Sequence, residues 1–503
     1  MEKVLLDYDW TVMAPEIIIA AAAALLSLAD LFLRENTDRR FFSWFSLAAV
    51  IAAIFFTVSR FGQQPYEILG DTYRVDDFAL AFKTAVLSGV GLVFLLSAWG
   101  VRQEEIRFRG EYDYLLLAAA LGAMIMTSSA DLITLFVGLE LLSISSYILA
   151  GIHRERYASN EAAWKYVVQG GVASAFILYG MSFVYGLTGS TNLYTIQQRL
   201  VEAYQTGYDA FVLLSLFLML LGFGFKIASA PFHMWVPDVY QGAPTPVTSF
   251  LAVVSKTAAF ALVLRIVLVG YIFLYQMQIW QQVVEPVLLV LAGLSMVIGN
   301  TAALHQTDTK RLLAYSSVAH AGYLLVPLST LGAVLFESTF YYLIAYLVMT
   351  MGAFTVAALL EREAGHGNIS GFAGLSRRSP GTAAAMTVFL LSLAGIPVTA
   401  GFFGKFYILM NALSTQHFWI AGIMVGTTVI SYYYYFGIIR QMYFRPPASK
   451  DRMRVPMVPA LLLVIGILGT VGLGVVPEWA VHWIGDLQWM SALTPLNAGP
   501  PGP

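Results

Sequence analysis

A chain of 503 residues in which 58% of side chains are apolar and only 12% are charged, with a mean hydropathy of +0.71, is not an ordinary water-soluble domain. It reads as an all-α polytopic membrane protein. The formal net charge of −2 offers no basic footprint for nucleic acid, and the lack of cysteine excludes iron–sulfur clusters, thiolate zinc sites, disulfides and thiol nucleophiles.

Apolar runs able to span about 30 Å of hydrocarbon, roughly 20 helical residues, recur along the chain. Fourteen are predicted, at 13–33, 41–60, 77–99, 112–130, 132–151, 164–188, 210–230, 245–270, 284–303, 311–328, 335–360, 382–412, 417–440 and 455–475. Glu2, Lys3, Asp7 and Asp9 lack the net positive charge of a cleavable signal, so the first run is read as a span. Four sections are expected. They are an N-terminal three-helix segment (1–110), a first five-helix repeat (111–270), a second, inverted five-helix repeat (271–445), and a C-terminal helix with a disordered tail (446–503) ending in the proline-rich Thr494–Pro503.

Lysine and arginine test the count, because cytoplasmic loops hold an excess of them. Eighteen fall in loops of one side, among them Arg34, Arg39, Arg40, Arg102, Arg107, Arg154, Arg156, Lys310, Arg377, Arg378 and Lys450. The opposite side has only Lys3, Arg60, Arg74 and Arg199. A miscounted helix would scramble this alternation, which predicts that both termini face away from the cytoplasm.

Six basic residues remain inside predicted spans: Lys83, Lys165, Lys226, Lys256, Arg265 and Lys405. Lys83 and Lys165 lie near helix starts and Arg265 near a helix end, where a long side chain snorkels to the interface. Lys226, Lys256 and Lys405 have apolar flanks and sit beside proline or glycine disruptions, and each costs about 2.5–3.5 kcal/mol to insert at mid-membrane. Pro231 and Pro397 are structural breaks, so the seventh and twelfth spans are expected to be discontinuous helices. Broken backbone survives in a bilayer only where it faces protein or a water-filled cavity.

Gly222–Lys226 and Gly401–Lys405 both read G-F-x-x-K and fall in those two spans, five helices apart. Successive spans alternate direction, so a unit repeated after five is inverted, as in transporters with sites at mid-membrane. Glu140, central in the fifth span, supplies a carboxylate. Desolvation disfavours a charged lysine and a nearby carboxylate restores it, so a Glu–Lys pair makes proton binding switchable. His233, in the first break, suits either a proton relay or a satisfied structural hydrogen bond. Lys165 is a further candidate of the same kind, while His305 and His320 read as structural and Tyr432–Tyr435 as an aromatic interface. No metal-ligand spacing occurs.

The runs Pro231–Ala261 (PFHMWVPDVYQGAPTPVTSFLAVVSKTAAFA), Asp308–Tyr323 (DTKRLLAYSSVAHAGY) and Gly395–Tyr407 (GIPVTAGFFGKFY) resemble the N-type members of the antiporter-like membrane subunit family of bacterial NADH–quinone oxidoreductase, respiratory complex I. The resemblance covers nearly the whole chain. Val239–Val247 (VYQGAPTPV) is closer to N-type wording than to the L, M or Mrp relatives, and an M-type subunit would carry glutamate where Lys405 stands. By resemblance, Glu140 matches the fifth-helix glutamate, Lys226 the lysine that pairs with it, Lys256 the central eighth-helix lysine and Lys405 the lysine of the outlet half-channel. The resemblance also implies proton translocation driven by quinone reduction elsewhere, no flavin, iron–sulfur or nicotinamide site in this chain, and a bacterial plasma-membrane arm shared with an M-type subunit and small K, J and A subunits. The alternative is an Mrp-type cation/proton antiporter subunit. That reading wants oxygen ligands along the path, whereas this path is mainly lysine. A mere scaffold would not need three lysines within the membrane.

Overall fold

The computed structural model describes residues 8–34, 37–101, 106, 109–447 and 451–493. Lys3, Arg102, Arg107 and Lys450 of the charge count, with Glu2 and Asp7 and the predicted tail Thr494–Pro503, lie outside the described residues. The principal helices are α1 (Ala14–Phe32), α2 (Arg40–Val58), α3 (Asp77–Gly100), α4 (Arg109–Ser128), α5 (Leu132–Ala150), α6 (Tyr157–Thr188), α7 (Asp209–Lys226), α8 (Trp235–Gly242), α9 (Thr245–Gly270), α10 (Glu285–Ala303), α11 (Thr309–Thr330), α12 (Leu335–Ala364), α13 (Pro380–Ala394), α14 (Ala400–Ser414), α15 (Phe418–Phe444), α16 (Met457–Val475) and α17 (Pro477–Asp486), with shorter helical pieces such as Leu193–Ala203 between them. Among the described residues, twelve helical stretches are long and apolar enough to cross a membrane. The chain is a polytopic all-α membrane protein.

Local chemistry sets where helices begin. Asp76, Asp131 and Asp308 each stand in extended backbone and accept hydrogen bonds from the first free N–H groups of α3, α5 and α11. A two-stranded hairpin, Tyr66–Ile68 with Tyr73–Val75 in the register Tyr66↔Val75, precedes α3. Burial then orders the bundle. The most apolar stretch of α9 is wholly buried and those of α11 and α12 are 94% and 89% buried, so these three form the centre; α1, α2, α15 and α16 are a third buried and form the rim. Small residues set the closest approach. A side chain at Gly299 of α10 would meet the Ala319 nitrogen of α11 at 2.6 Å, and one at Gly322 of α11 the Ala292 oxygen of α10 at 2.7 Å.

Two predicted spans are built differently from the rest. The predicted 112–130 span starts earlier, as α4, and its first turns carry Arg109, Glu111 and Asp113. Asp113 is buried and accepts from Ser43 Oγ at 2.6 Å. The predicted 382–412 span separates into α13 and α14, each too short to cross alone.

The snorkelling expectation is corrected at two positions, Arg265 and Lys83. Arg265 is 1% exposed and forks onto Asp76 at 2.6 and 3.0 Å. Lys83 is 1% exposed and pairs with Glu16 of α1 at 2.6 Å. Lys165 lies two turns inside α6 and bridges Glu161 (2.6 Å) and Asp238 of α8 (2.5 Å). Arg265 and Lys83 turn inward because a neighbouring element supplies a carboxylate, a pairing that spacing along one chain does not reveal, whereas the Lys165 side chain is 36% exposed near the start of α6, as a snorkelling lysine would be.

Candidate functional site

α7 ends at Lys226, and the backbone beyond it leaves helical geometry at Ala228, whose φ of +63° is a left-handed conformation that an alanine adopts only at a cost of about 1–2 kcal/mol. Pro231 cannot donate to a helical ladder. The freed groups find other partners: Ser229 N donates to Gly224 O (2.9 Å), Trp235 Nε1 to Phe225 O (3.1 Å) and Ala230 N to Ser295 Oγ of α10 (2.8 Å). The break is therefore satisfied inside protein. At the second break Gly395 (φ +85°) and Val398 (φ +71°) turn the chain between α13 and α14, and Gly401 N donates to Ser392 Oγ at 3.0 Å.

The lysines sit at these interruptions in different ways. Lys226 Nζ donates to Ser143 Oγ (2.5 Å) and Tyr147 OH (3.4 Å) of α5. Glu140 lies three residues before Ser143 on the same helix, which puts both on one face, and it accepts from Ser174 Oγ of α6 at 2.5 Å. No direct ion pair joins Glu140 to Lys226 among the described residues; Ser143 holds the ammonium, and the Glu140 carboxylate acts on it electrostatically from one turn away.

Lys256 is 2% exposed midway along α9, directly after a π-wound turn, Leu251–Ser255, of the kind often found at functional sites. Its Nζ donates to Ser317 Oγ (2.5 Å) and Ser317 O (2.6 Å) of α11 and lies 5.2 Å over the Tyr346 ring. Lys405, 7% exposed, donates to Leu393 O (2.9 Å) and Ala394 O (3.2 Å), the open carbonyls at the end of α13, where a cation complements the helix dipole.

His320 joins the last two. Its Nδ1 bonds the Tyr342 hydroxyl and its Nε2 reaches Tyr435 OH at 3.4 Å. Its ring lies 5.1 Å from that of Tyr346, beneath Lys256, and 5.8 Å from that of Tyr323, beneath Lys405 at 4.9 Å. From Lys226 towards Lys256 the link is aromatic: Tyr147 to Tyr166 (4.7 Å), Tyr166 stacked on Trp235 (4.4 Å), Trp235 to Tyr240 (6.4 Å), then Tyr240 OH to Ser317 Oγ (3.4 Å).

His233 is buried beside Tyr315 with its Nδ1 unbonded among the described residues, and Lys165 serves the Glu161–Asp238 pairing; no described hydrogen bond or ion pair ties either to the lysines. His320, Ser317 and Ser143 were missed or read as structural. A signal existed, since Ser317 and His320 are three residues apart on one helical face, as are Glu140 and Ser143. The G-F-x-x-K match is also corrected. Lys226 ends the half-helix before its break, whereas Lys405 stands in the half-helix after its break, so the two lysines are not equivalent in position. Among the described residues no three histidines or carboxylates converge as a metal site would require.

The family described as "NADH:quinone oxidoreductase/Mrp antiporter, TM" matches residues 129–431, a stretch that contains all four of Glu140, Lys226, Lys256 and Lys405. The chain is 48% identical over 494 residues to NADH-quinone oxidoreductase subunit N of Geobacillus sp. (strain WCH70), covering 95% of this chain and 99% of that relative. The chain belongs to the NADH-quinone oxidoreductase subunit N family. A chain of respiratory complex I from Thermus thermophilus with bound aureothin is similar at 33% identity and a TM-score of 0.78, over 93% of this N-family chain and 98% of the other. A chain of the Mrp complex from Dietzia sp. DQ12-45-1b, 19% identical with a TM-score of 0.80 over 96% of each, shares the N-family fold. Fold alone therefore does not separate N subunits from their antiporter relatives.

Proposed function

We propose that this chain is a proton-translocating subunit in the membrane arm of NADH-quinone oxidoreductase, moving H⁺ along an axis of Glu140, Lys226, Lys256 and Lys405 while quinone is reduced in other subunits. One observation carries this reading. Three ammonium groups inside the bundle are held by hydroxyls and carbonyls, with no carboxylate at ion-pair distance among the described residues. A carboxylate held in direct contact would fix the charge, whereas hydroxyl and carbonyl partners leave the proton free to leave and return, and a carboxylate one turn away can switch it by moving nearer or farther. Glu140, one turn from Ser143, gates the Lys226 end. His320, between the rings beneath Lys256 and Lys405, passes protons along the second half, and water with the tyrosine hydroxyls completes the first.

In this reading the fold has fourteen spans, with inverted five-helix repeats at 111–270 and 271–445 preceded by 1–110 and followed by 446–503. The arginine-rich loops support a cytoplasmic position for that face and a bacterial plasma-membrane setting with both termini opposite. Membrane-arm neighbours of M, K, J and A type supply the coupling, and redox cofactors reside in other chains. A proton moved against 100 mV costs about 2.3 kcal/mol, which must come from those neighbours. An Mrp-type cation exchanger shares the fold, but a lysine-lined path repels Na⁺ and presents no cage of oxygen ligands, which favours H⁺.

The test is the assembled complex carrying Lys226→Ala or Glu140→Ala. Quinone reduction and proton pumping are expected to fall about tenfold, equivalent to ~1.4 kcal/mol of barrier, with NADH oxidation by an artificial acceptor unchanged. Unchanged quinone reduction and pumping in both variants would overturn the assignment.

A further inference from the structure

A cavity of about 270 Å³ lies on the arginine-rich side, where the ends of α3 and α12 meet the beginnings of α6, α9 and α11. Trp99, Arg156, Thr245, Lys310, Glu361 and Arg362 are among its walls. A smaller pocket of about 10 Å³, room for about one water, lies against the other side of Lys310 and Glu361 and is closed by His366 and Phe372. The floor is built from groups that hold one another. Glu361 accepts from Thr245 Oγ1 (2.6 Å) and Lys310 Nζ (3.3 Å), and Lys310 also donates to Ala243 O (3.1 Å), a carbonyl left open by the interruption between α8 and α9. The Glu361 side chain is 32% exposed, and of the carboxylates in the bundle it alone lines this cavity among the described residues.

Thr245 begins the helix that carries Lys256, and polar side chains continue inward from it. Ser249 Oγ bonds Thr245 O (2.9 Å), Thr248 Oγ1 bonds Tyr240 O (2.9 Å), and Tyr240 OH reaches Ser317, which holds Lys256. We propose that this cavity is the vestibule through which protons reach the lysine axis, with Glu361 the group that takes each proton from vestibule water and Thr245 the first hydroxyl that receives it. The inference rests on the proton reading of that axis. A proton arriving on the Glu361 carboxyl breaks its ion pair with Lys310. It then passes to Thr245 Oγ1 as that hydroxyl turns and gives its own proton inward to water, and the Glu361–Lys310 pair re-forms. Arg156 at the head of α6, His153 in the turn before it, Lys310 on α11 and Arg362 on α12 face the same space, as does His366 beyond the end of α12. Their positive charge opposes any entering cation, and Glu361 supplies the local negative charge that lets a proton bind there.

The test uses the assembled complex in sealed vesicles with Glu361→Gln, Glu361→Asp and Lys256→Ala. Glu361→Gln is expected to lower pumping about fivefold and to move the alkaline limb of the pumping pH profile by about one unit, with Glu361→Asp restoring most of both. A merely structural Glu361 would leave the shape of that profile alone. Unchanged pumping and profile in Glu361→Gln, with Lys256→Ala defective, overturns the vestibule and leaves the axis standing. Normal pumping in Lys256→Ala removes the axis, and the vestibule with it. A second variant decides the matter should Glu361→Gln fail to assemble. The chain has no cysteine, so Ala358→Cys places a single thiol in the cavity wall. A membrane-impermeant, charged thiol reagent is expected to label this chain from the arginine-rich side alone and to block pumping. No labelling from that side, or labelling without effect on pumping, overturns the proposal.

Discussion

Arg265 and Lys256 lie nine residues apart on the same helix and both are buried, yet their surroundings assign them opposite tasks. Arg265 forks onto Asp76 and donates to Thr127 O at 3.0 Å, and Asp76 is held in turn by Arg74 at 3.2 Å, which pairs with Glu67 at 2.6 Å. This is a closed set of opposite charges that fixes α9 against the hairpin and α3. Lys83 with Glu16 and Tyr73 OH (2.8 Å) is a second such set. Among the described residues Lys256 has only the hydroxyl and the carbonyl of Ser317 as hydrogen-bond partners. Arg265→Ala leaves the Asp76 carboxylate buried with one cation fewer and is expected to cost about 3–5 kcal/mol, seen as loss of the assembled complex by native electrophoresis. Lys256→Ala strands no charge, so assembly should persist while pumping fails. The same two assays applied to both variants separate a structural cation from a working one.

Two of the lysines proposed to carry protons are placed by how their helices end. Lys226 occupies the last turn of α7 because Ala228 turns the chain out of the helix, and Lys405 reaches the open carbonyls of α13 because Gly395 and Val398 bring α14 back beneath them. Both arrangements depend on helices that come very close. α10 supplies Ser295 to the first break and presses on α11, the helix of Ser317 and His320, through Gly299 and Gly322. Gly299→Val would put carbon atoms within 2.6 Å of the α11 backbone, with no flexible side chain to give way. The expected loss is about 1–3 kcal/mol from overpacking, read as a lower melting temperature of the complex. An alanine at the exposed Gly422, where nothing lies within 4 Å of the added carbon, is the control and should be silent.

Across the whole molecule the far end of the chain returns to close the side opposite the vestibule. Trp489 stacks on Phe336 of α12 at 4.8 Å and meets Phe340 at 5.5 Å and Phe78 of α3 at 6.1 Å. Arg74 and Tyr194 bond the carbonyls of Ser491 (2.5 Å) and Ala492 (2.9 Å), and Gln488 N bonds Asp77 (2.9 Å). Trp489→Ala is expected to destabilise the subunit by about 3–5 kcal/mol, measured as a fall in its thermal unfolding midpoint, with the proton-to-electron ratio of the surviving complex unchanged. None of this strap was legible beforehand, because 477–493 is too short and too mixed in composition to announce itself as a span. Class was legible from composition alone, since a chain this apolar satisfies its backbone in lipid only as helices or a closed barrel, and long unbroken apolar runs are helical. The three unusual lysines and the two breaks were legible too, because an ammonium in an apolar run or a proline in a helix is conspicuous in one dimension. Partners were not. Whether Arg265 snorkels or meets Asp76, whether Lys226 touches Glu140 or Ser143, and whether His320 stands between two lysines all turn on residues tens to hundreds of positions apart. Periodicity is a property of one helix, whereas a contact is a property of two, and only helix against helix decides which buried charge is neutralised and which is left free to exchange its proton.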